Sequence, residues 1–89
     1  MELVEAREGL VRLLVPKDGL RKRHFYNPAM ELARDVSVLL CNALELRGEA
    51  CDALAATGAR GLRLAKECGF DLVVLNDANP EVVRLIERN

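Results

Sequence analysis

The sequence has 89 residues, 51% of them hydrophobic, and 13 basic side chains against 14 acidic for a formal charge of −1. This length allows one small domain that buries roughly 60% of its unfolded surface, and the hydrophobic fraction excludes general disorder. The charge balance excludes a long-range field that gathers nucleic acid, although it leaves room for a local basic patch. The opening MELVEAREGL carries acids early and lacks the apolar stretch of a signal peptide. No apolar run nears the ~20 residues of a membrane span, so no membrane association is expected. Cys41, Cys51 and Cys68 are odd in number and far apart. Their spacing suggests no zinc site, and no metal ligands are assigned. They read as small buried hydrophobes in a reducing cytoplasm. No paired base marks any of them as a nucleophile.

The first element expected is a β-hairpin over residues 1–16, two β-rich runs around Glu8-Gly9 ended by Pro16. A loop with the basic cluster Arg21-Lys22-Arg23-His24 follows. Asn27 offers an N-cap and Pro28 fits a first helical position. From Pro28 to about Arg47, Leu32, Val36, Leu39, Leu40, Ala43 and Leu44 recur at three- and four-residue spacing and mark one helix face. Gly48 is the expected stop. ACDALAA reads as a short buried strand, RGLRLAKEC as a helix stopped by Gly69, and DLVVLN as a second buried strand. Asn79-Pro80 opens a last helix. The order after Gly48 is β-α-β-α, which predicts parallel strands with a right-handed crossover.

The stretch with most chemistry is DALAATGARG, residues 52–61. A strand, a glycine-containing turn and a helix start form a common cradle for a nucleotide. Glycines permit close backbone approach and the helix N-terminus offers unpaired N–H groups. Asp77 follows Gly58 by 19 positions, close to the ~20 expected for an acid that accepts from ribose hydroxyls. A dinucleotide site wants Gly-x-Gly-x-x-Gly, and this loop is one glycine short. Arg60 suits a single carboxylate, such as the methionine end of S-adenosylmethionine, and also suits a phosphate. NAD remains the weaker alternative. In the plainest reading, Gly58 and Gly61 only make a tight turn and Asp77 caps the next helix.

HFYNPAMELARDVSV, DALAATGARGLRLAKE and VVLNDANPEVVRLIERN together resemble the archaeal tRNA (guanine-26-N2)-dimethyltransferases. That family has Phe-Tyr-Asn-Pro-x-Met and an Arg-Asp pair before an Asp-Ala-Leu-x-Ala-Thr-Gly-x-Arg-Gly loop, and an Asn-Asp that ends the next strand. MELVEAREG and LLVP are similar too, so the likeness covers nearly the whole chain. The resemblance implies a Rossmann-like fold, S-adenosylmethionine as cofactor, tRNA as substrate and methylation of a guanine exocyclic amine. The fold class expected is thus α/β, an N-terminal hairpin and helix followed by a β-α-β-α half of a methyltransferase domain spanning 17–89. The resemblance implies cofactor-binding roles for Arg34, Arg60, Asp77 and the loop glycine Gly58. Arg34 and Arg60 would hold the methionine or loop end, and Asp77 the ribose. Ala33 stands where the family usually has Asn.

The family's catalytic Asp-Pro-Phe-Gly segment and separate tRNA-binding domain have no counterpart up to Asn89. The sequence is therefore read as an N-terminal, cofactor-binding piece, inactive alone, with no catalytic or RNA-binding residue assigned. A second polypeptide is a candidate partner, and the strand edge near Ala53, Leu54 and Ala55 is expected to lack its neighbour. The competing class is a non-catalytic nucleotide-binding or interaction fragment. Phe25 and Tyr26 either stack on a base or anchor their loop to the core. Without the resemblance, Arg34 reads as a surface arginine paired with Glu31 or Asp35.

Overall fold

A computed structural model describes residues 2–17 and 26–89. Strand β1 (Leu3–Glu8) pairs antiparallel with β2 (Val11–Pro16), in register from Leu3↔Pro16 to Glu8↔Val11. Gly9 takes φ +55° in the two-residue loop, the positive φ that tight hairpin turns demand. Alternation along β2 buries Val11, Leu13 and Val15 on one face. These residues form a core cluster with Tyr26 and Ala59, and Val4, Ala6 and Leu62 pack against it.

The Asn27-Pro28 start behaves as its chemistry requires. The Asn27 side chain accepts from Ala29 N–H at 3.0 Å, and Pro28 opens a 3-10 turn, Pro28–Met30, that leads into α1 (Glu31–Ala43). The helix stops at Ala43, well before the expected Arg47. Leu46 N–H reaches back to Cys41 C=O and Glu45 N–H to Asn42 C=O, each at 3.1 Å. This is a Schellman closure with Glu45, φ +52°, in the left-handed position usually given to glycine. Gly48 (φ +83°) acts one step later, where its carbonyl accepts from Asp71 and Leu72 and opens the sheet.

Helix α1 buries Arg34 and Val38. The apolar face is exposed among the described residues, with Leu32 at 73% and Leu39 at 68%. Strand β3 (Glu49–Asp52) pairs parallel with β4 (Leu72–Leu75), in register from Glu49↔Leu72 to Asp52↔Leu75. Helix α2 (Ala59–Glu67) makes the crossover, and α3 (Pro80–Arg88) follows, its Asn79 cap accepting from Glu81 N–H at 3.0 Å. The β-α-β-α order matches the sequence pattern, but β3 ends at Asp52, short of the expected Ala56. One face of this sheet is half-buried. Its other face leaves Cys51, Leu72 and Val74 exposed. The strands are thus only partly buried, and the cysteine reading needs correction. Cys51 is exposed, while Cys41 and Cys68 are half-buried. At the far end, the Asn89 amide pairs with both backbone groups of Leu14 (2.7 and 3.0 Å) and donates to Thr57 C=O, fastening the end of α3 to β2. No helix among the described residues is long and apolar enough to cross a membrane.

A charged cluster joins the hairpin to α1 and α2. The Glu8 side chain has no exposed surface. It accepts from Arg34 Nε (2.6 Å) and Nη2 (2.8 Å), from the Tyr26 hydroxyl (2.6 Å) and from Arg63 Nη1 (3.2 Å). Arg63 also pairs with Asp35 and grips Glu67 through Nε and Nη2 at 2.8 and 3.1 Å. Gly9 lies against this pair: a Cβ there would sit 2.6 Å from the Glu67 carboxylate and 2.7 Å from Arg63 Nη2. Burial pushes the Glu8 carboxyl up, but hydrogen bonds from Arg34 and Tyr26 and the Arg34 charge outweigh it, so the group lies below the usual range. Burial, reinforced by the bond to Glu8, pushes the Tyr26 phenol up to about 12. The Arg63 bonds hold Glu67 low against its own burial.

Two outcomes are expected. Glu45→Gly should raise stability by about 0.5 kcal/mol, as relief of the ~1–2 kcal/mol left-handed penalty outweighs glycine's ~0.5–1 kcal/mol larger entropy loss; a calorimetric melting temperature measures it. Glu8 and Glu67 have folded pKa values below their unfolded ones. Their stabilisation is therefore complete above the ordinary carboxyl value of 4.5 and is lost as pH falls through the folded values. The melting temperature should hold from neutral pH down to that value and decline below it.

Candidate functional site

The loop from Ala53 to Gly58 carries the chain from β3 into α2. Asp52, the last residue of β3, accepts from Gly61 N–H at 3.0 Å and so caps the first turn of α2 from outside the helix. Ala55 N–H continues the parallel ladder to Asn76 C=O at 2.8 Å. Ala56 sits at φ +50°, an uncommon conformation for a residue with a side chain. Its N–H is held by Asp77 Oδ2 at 3.1 Å, while Asp77 Oδ1 accepts from Asn79 N–H at 3.0 Å. The Asp77 carboxylate thus braces the loop and starts the turn into α3.

Both loop glycines are required by close packing. Gly58 has φ +91°, and a Cβ there would lie 3.0 Å from Leu75 Cδ2 and 3.2 Å from Leu62 Cδ1. At Gly61 it would lie 2.9 Å from Leu75 Cγ. The close approach these glycines permit is that of α2 to β4, the packing role that the last glycine of a dinucleotide loop performs.

An open cleft of about 190 Å³ lies between the 3-10 turn, α1 and the N-terminus of α2. Arg34 and Arg60, picked from the sequence, both line it, as do Asp52, Tyr26 and Asn27. Gly58 and Asp77 do not line it. They shape the loop that forms one wall. Arg34 is buried and paired with Glu8, so the surface pairing with Glu31 or Asp35 is replaced; Asp35 goes to Arg63. Arg60 is exposed. The Tyr26 hydroxyl is anchored on Glu8, its ring is 4.9 Å from the Arg34 guanidinium carbon, and Arg34 Nη2 also donates to Asn27 C=O at 3.0 Å. The basic cluster 21–24 and Phe25 lie outside the described residues. Sequence reasoning missed Asp52 and Glu8. For Asp52 the available signal was an acid closing the strand before the loop. For Glu8, 26 residues from Arg34, there was none.

The cleft therefore offers two guanidinium groups, one carboxylate and the positive end of a nine-residue helix. This set suits a ligand that carries both an anion and a cation. Pockets for drug-sized ligands run about 300–1,000 Å³, so the cleft has room for only one end of a nucleotide-sized molecule. No histidine or cysteine lines it among the described residues, and no group of three or more metal-ligating side chains occurs among them.

Comparison with known proteins places these features in a family. The family model described as N2,N2-dimethylguanosine tRNA methyltransferase matches residues 9–89. The tRNA (guanine(26)-N(2))-dimethyltransferase of Methanopyrus kandleri is 47% identical over all of this chain, and that of Thermococcus kodakarensis 46%. The structure of Trm1 from Pyrococcus horikoshii with S-adenosyl-L-methionine superposes with a TM-score of 0.88 at 42% identity, covering 98% of this chain and 23% of that one. The chain spans about a quarter (24%) of the length of the curated relatives it matches. By the length of that match and these identities, the chain belongs to the N2,N2-dimethylguanosine tRNA methyltransferase family.

Proposed function

We propose that the cleft holds the amino-acid end of S-adenosylmethionine, and that the chain is the cofactor-binding part of a cytoplasmic enzyme that dimethylates the exocyclic N2 of guanine 26 in tRNA. The observation that carries this reading is the convergence of Arg34, Arg60 and Asp52 on the N-terminus of α2. An α-amino acid is a zwitterion. Its carboxylate fits Arg60, Nη1 of Arg34 and the helix N-terminus. Its ammonium fits Asp52. We assign Asp77, which follows the second parallel strand, to the ribose hydroxyls by the spacing of such acids from the loop glycine, and Gly58 keeps the loop close to the sheet.

When bound, the cofactor supplies an electrophilic methyl group on sulfur. The residues of this chain hold and orient it. Fixing both charged groups of the amino acid fixes the direction of the sulfonium, which is what an in-line attack by the guanine nitrogen requires. No residue of the cleft is assigned to accept the proton. We assign residues 1–16 to a hairpin and 17–89 to the beginning of the methyltransferase domain. The open edge of β3 is where a further strand would pair, and the exposed stripe of α1 and the open face of β3–β4 are where further elements would pack, from a longer chain or from a second polypeptide. A non-catalytic nucleotide-binding role is the second reading: the described lining of the cleft supplies charged groups that hold a ligand and none assigned to a chemical step.

Isothermal titration calorimetry tests the proposal. S-adenosylmethionine should bind and NAD should not. Arg60→Ala should weaken S-adenosylmethionine about tenfold, the scale of one charge-assisted hydrogen bond. Binding of NAD alone, or an unchanged affinity in Arg60→Ala, would contradict it.

A further inference from the structure

We infer that Glu8 is a positioning residue, one that turns a single edge of the Arg34 guanidinium into the cleft and so sets the preference for a ligand with a carboxylate. The inference rests on the reading of the cleft as the amino-acid end of the cofactor site.

A guanidinium is a rigid plane with two usable edges, so fixing one edge fixes the other. Glu8 takes the Nε–Nη2 edge of Arg34 in a two-point fork at 2.6 and 2.8 Å. Asn27 C=O takes a further Nη2 hydrogen at 3.0 Å. The Tyr26 ring, 4.9 Å from the guanidinium carbon, supports it as an aromatic face supports a cation. Nη1 takes no part in these bonds, and Arg34 lines the cleft. Glu8 is held in turn by the Tyr26 hydroxyl and Arg63. A free arginine must lose rotamer freedom when it grips a carboxylate. Arg34 has lost it before the ligand arrives, so its remaining donors act at full strength. Glu8 touches no ligand in this scheme. It comes from the hairpin, outside the β-α-β-α unit that forms most of the cleft wall, which gives the N-terminal hairpin a role in ligand choice.

The test compares S-adenosylmethionine with decarboxylated S-adenosylmethionine, which keeps the ammonium and sulfonium and lacks only the carboxylate. Calorimetry on the 89-residue chain should show the wild type favouring S-adenosylmethionine by about tenfold or more, the scale of a charge-assisted pair. In Glu8→Gln the preference should shrink to about threefold or less, with affinity for the decarboxylated ligand unchanged. Tyr26→Phe keeps the ring and removes one bond to Glu8, and should reduce the preference by about twofold. It decides the matter if Glu8→Gln does not fold. A merely structural role would weaken both ligands alike and leave the ratio intact. An intact ratio in the folded variants overturns the inference while the cleft reading stands. A wild type without preference overturns both.

Discussion

The Glu8 carboxylate is shut away from water and faces two guanidinium groups and a phenol. Much of the remaining structure depends on it. A buried charge is tolerable only when partners replace the water it lost. Here those partners come from three separate parts of the chain. Tyr26 lies before the first helix turn, Arg34 on α1 and Arg63 on α2. Meeting the needs of one carboxylate therefore fixes how the hairpin, α1 and α2 meet. Such a cluster returns little net stability, because taking its charges out of water costs nearly as much as their pairing returns. The apolar part of the same junction, Val11, Leu13, Val15, Tyr26 and Ala59, supplies the non-directional attraction.

The site is a consequence of this packing. Arg34 reaches the cleft because Glu8 holds it there, and α2 presents its N-terminus because Gly58 and Gly61 let it lie against Leu75. Asp52 and Asp77 tie the intervening loop at opposite ends. The uncommon φ of Ala56 is held by the Asp77 bond, a local cost carried in the wall of the cleft.

Features set by near neighbours in the chain were legible in the sequence. Asn27-Pro28 and Asn79-Pro80 start helices because cap chemistry acts within two or three residues. The hairpin and the β-α-β-α order followed from turn residues and periodicity. What failed to show depended on distant or ambiguous partners. Arg34 has acids at helical spacing, Glu31 and Asp35, and local reasoning prefers them; its actual partner is 26 positions away. Glu45 fills a position that chemistry assigns to glycine, so the end of α1 was placed too late. The periodic face of α1 correctly identified an apolar stripe but could not say what covers it. The structure buries the opposite face around a charge, which no hydrophobic pattern announces.

The most direct test of the account is a nitrogen-15 NMR spectrum of the chain that records both backbone amides and arginine Nε–Hε groups, with S-adenosylmethionine added stepwise. The account predicts a resolved, exchange-protected Arg34 Nε–Hε signal before any ligand is present. It predicts that this signal and the amides of Thr57 to Gly61 then shift together. An Arg34 signal averaged with those of exposed arginines, or loop amides that move with NAD and not with S-adenosylmethionine, would contradict it.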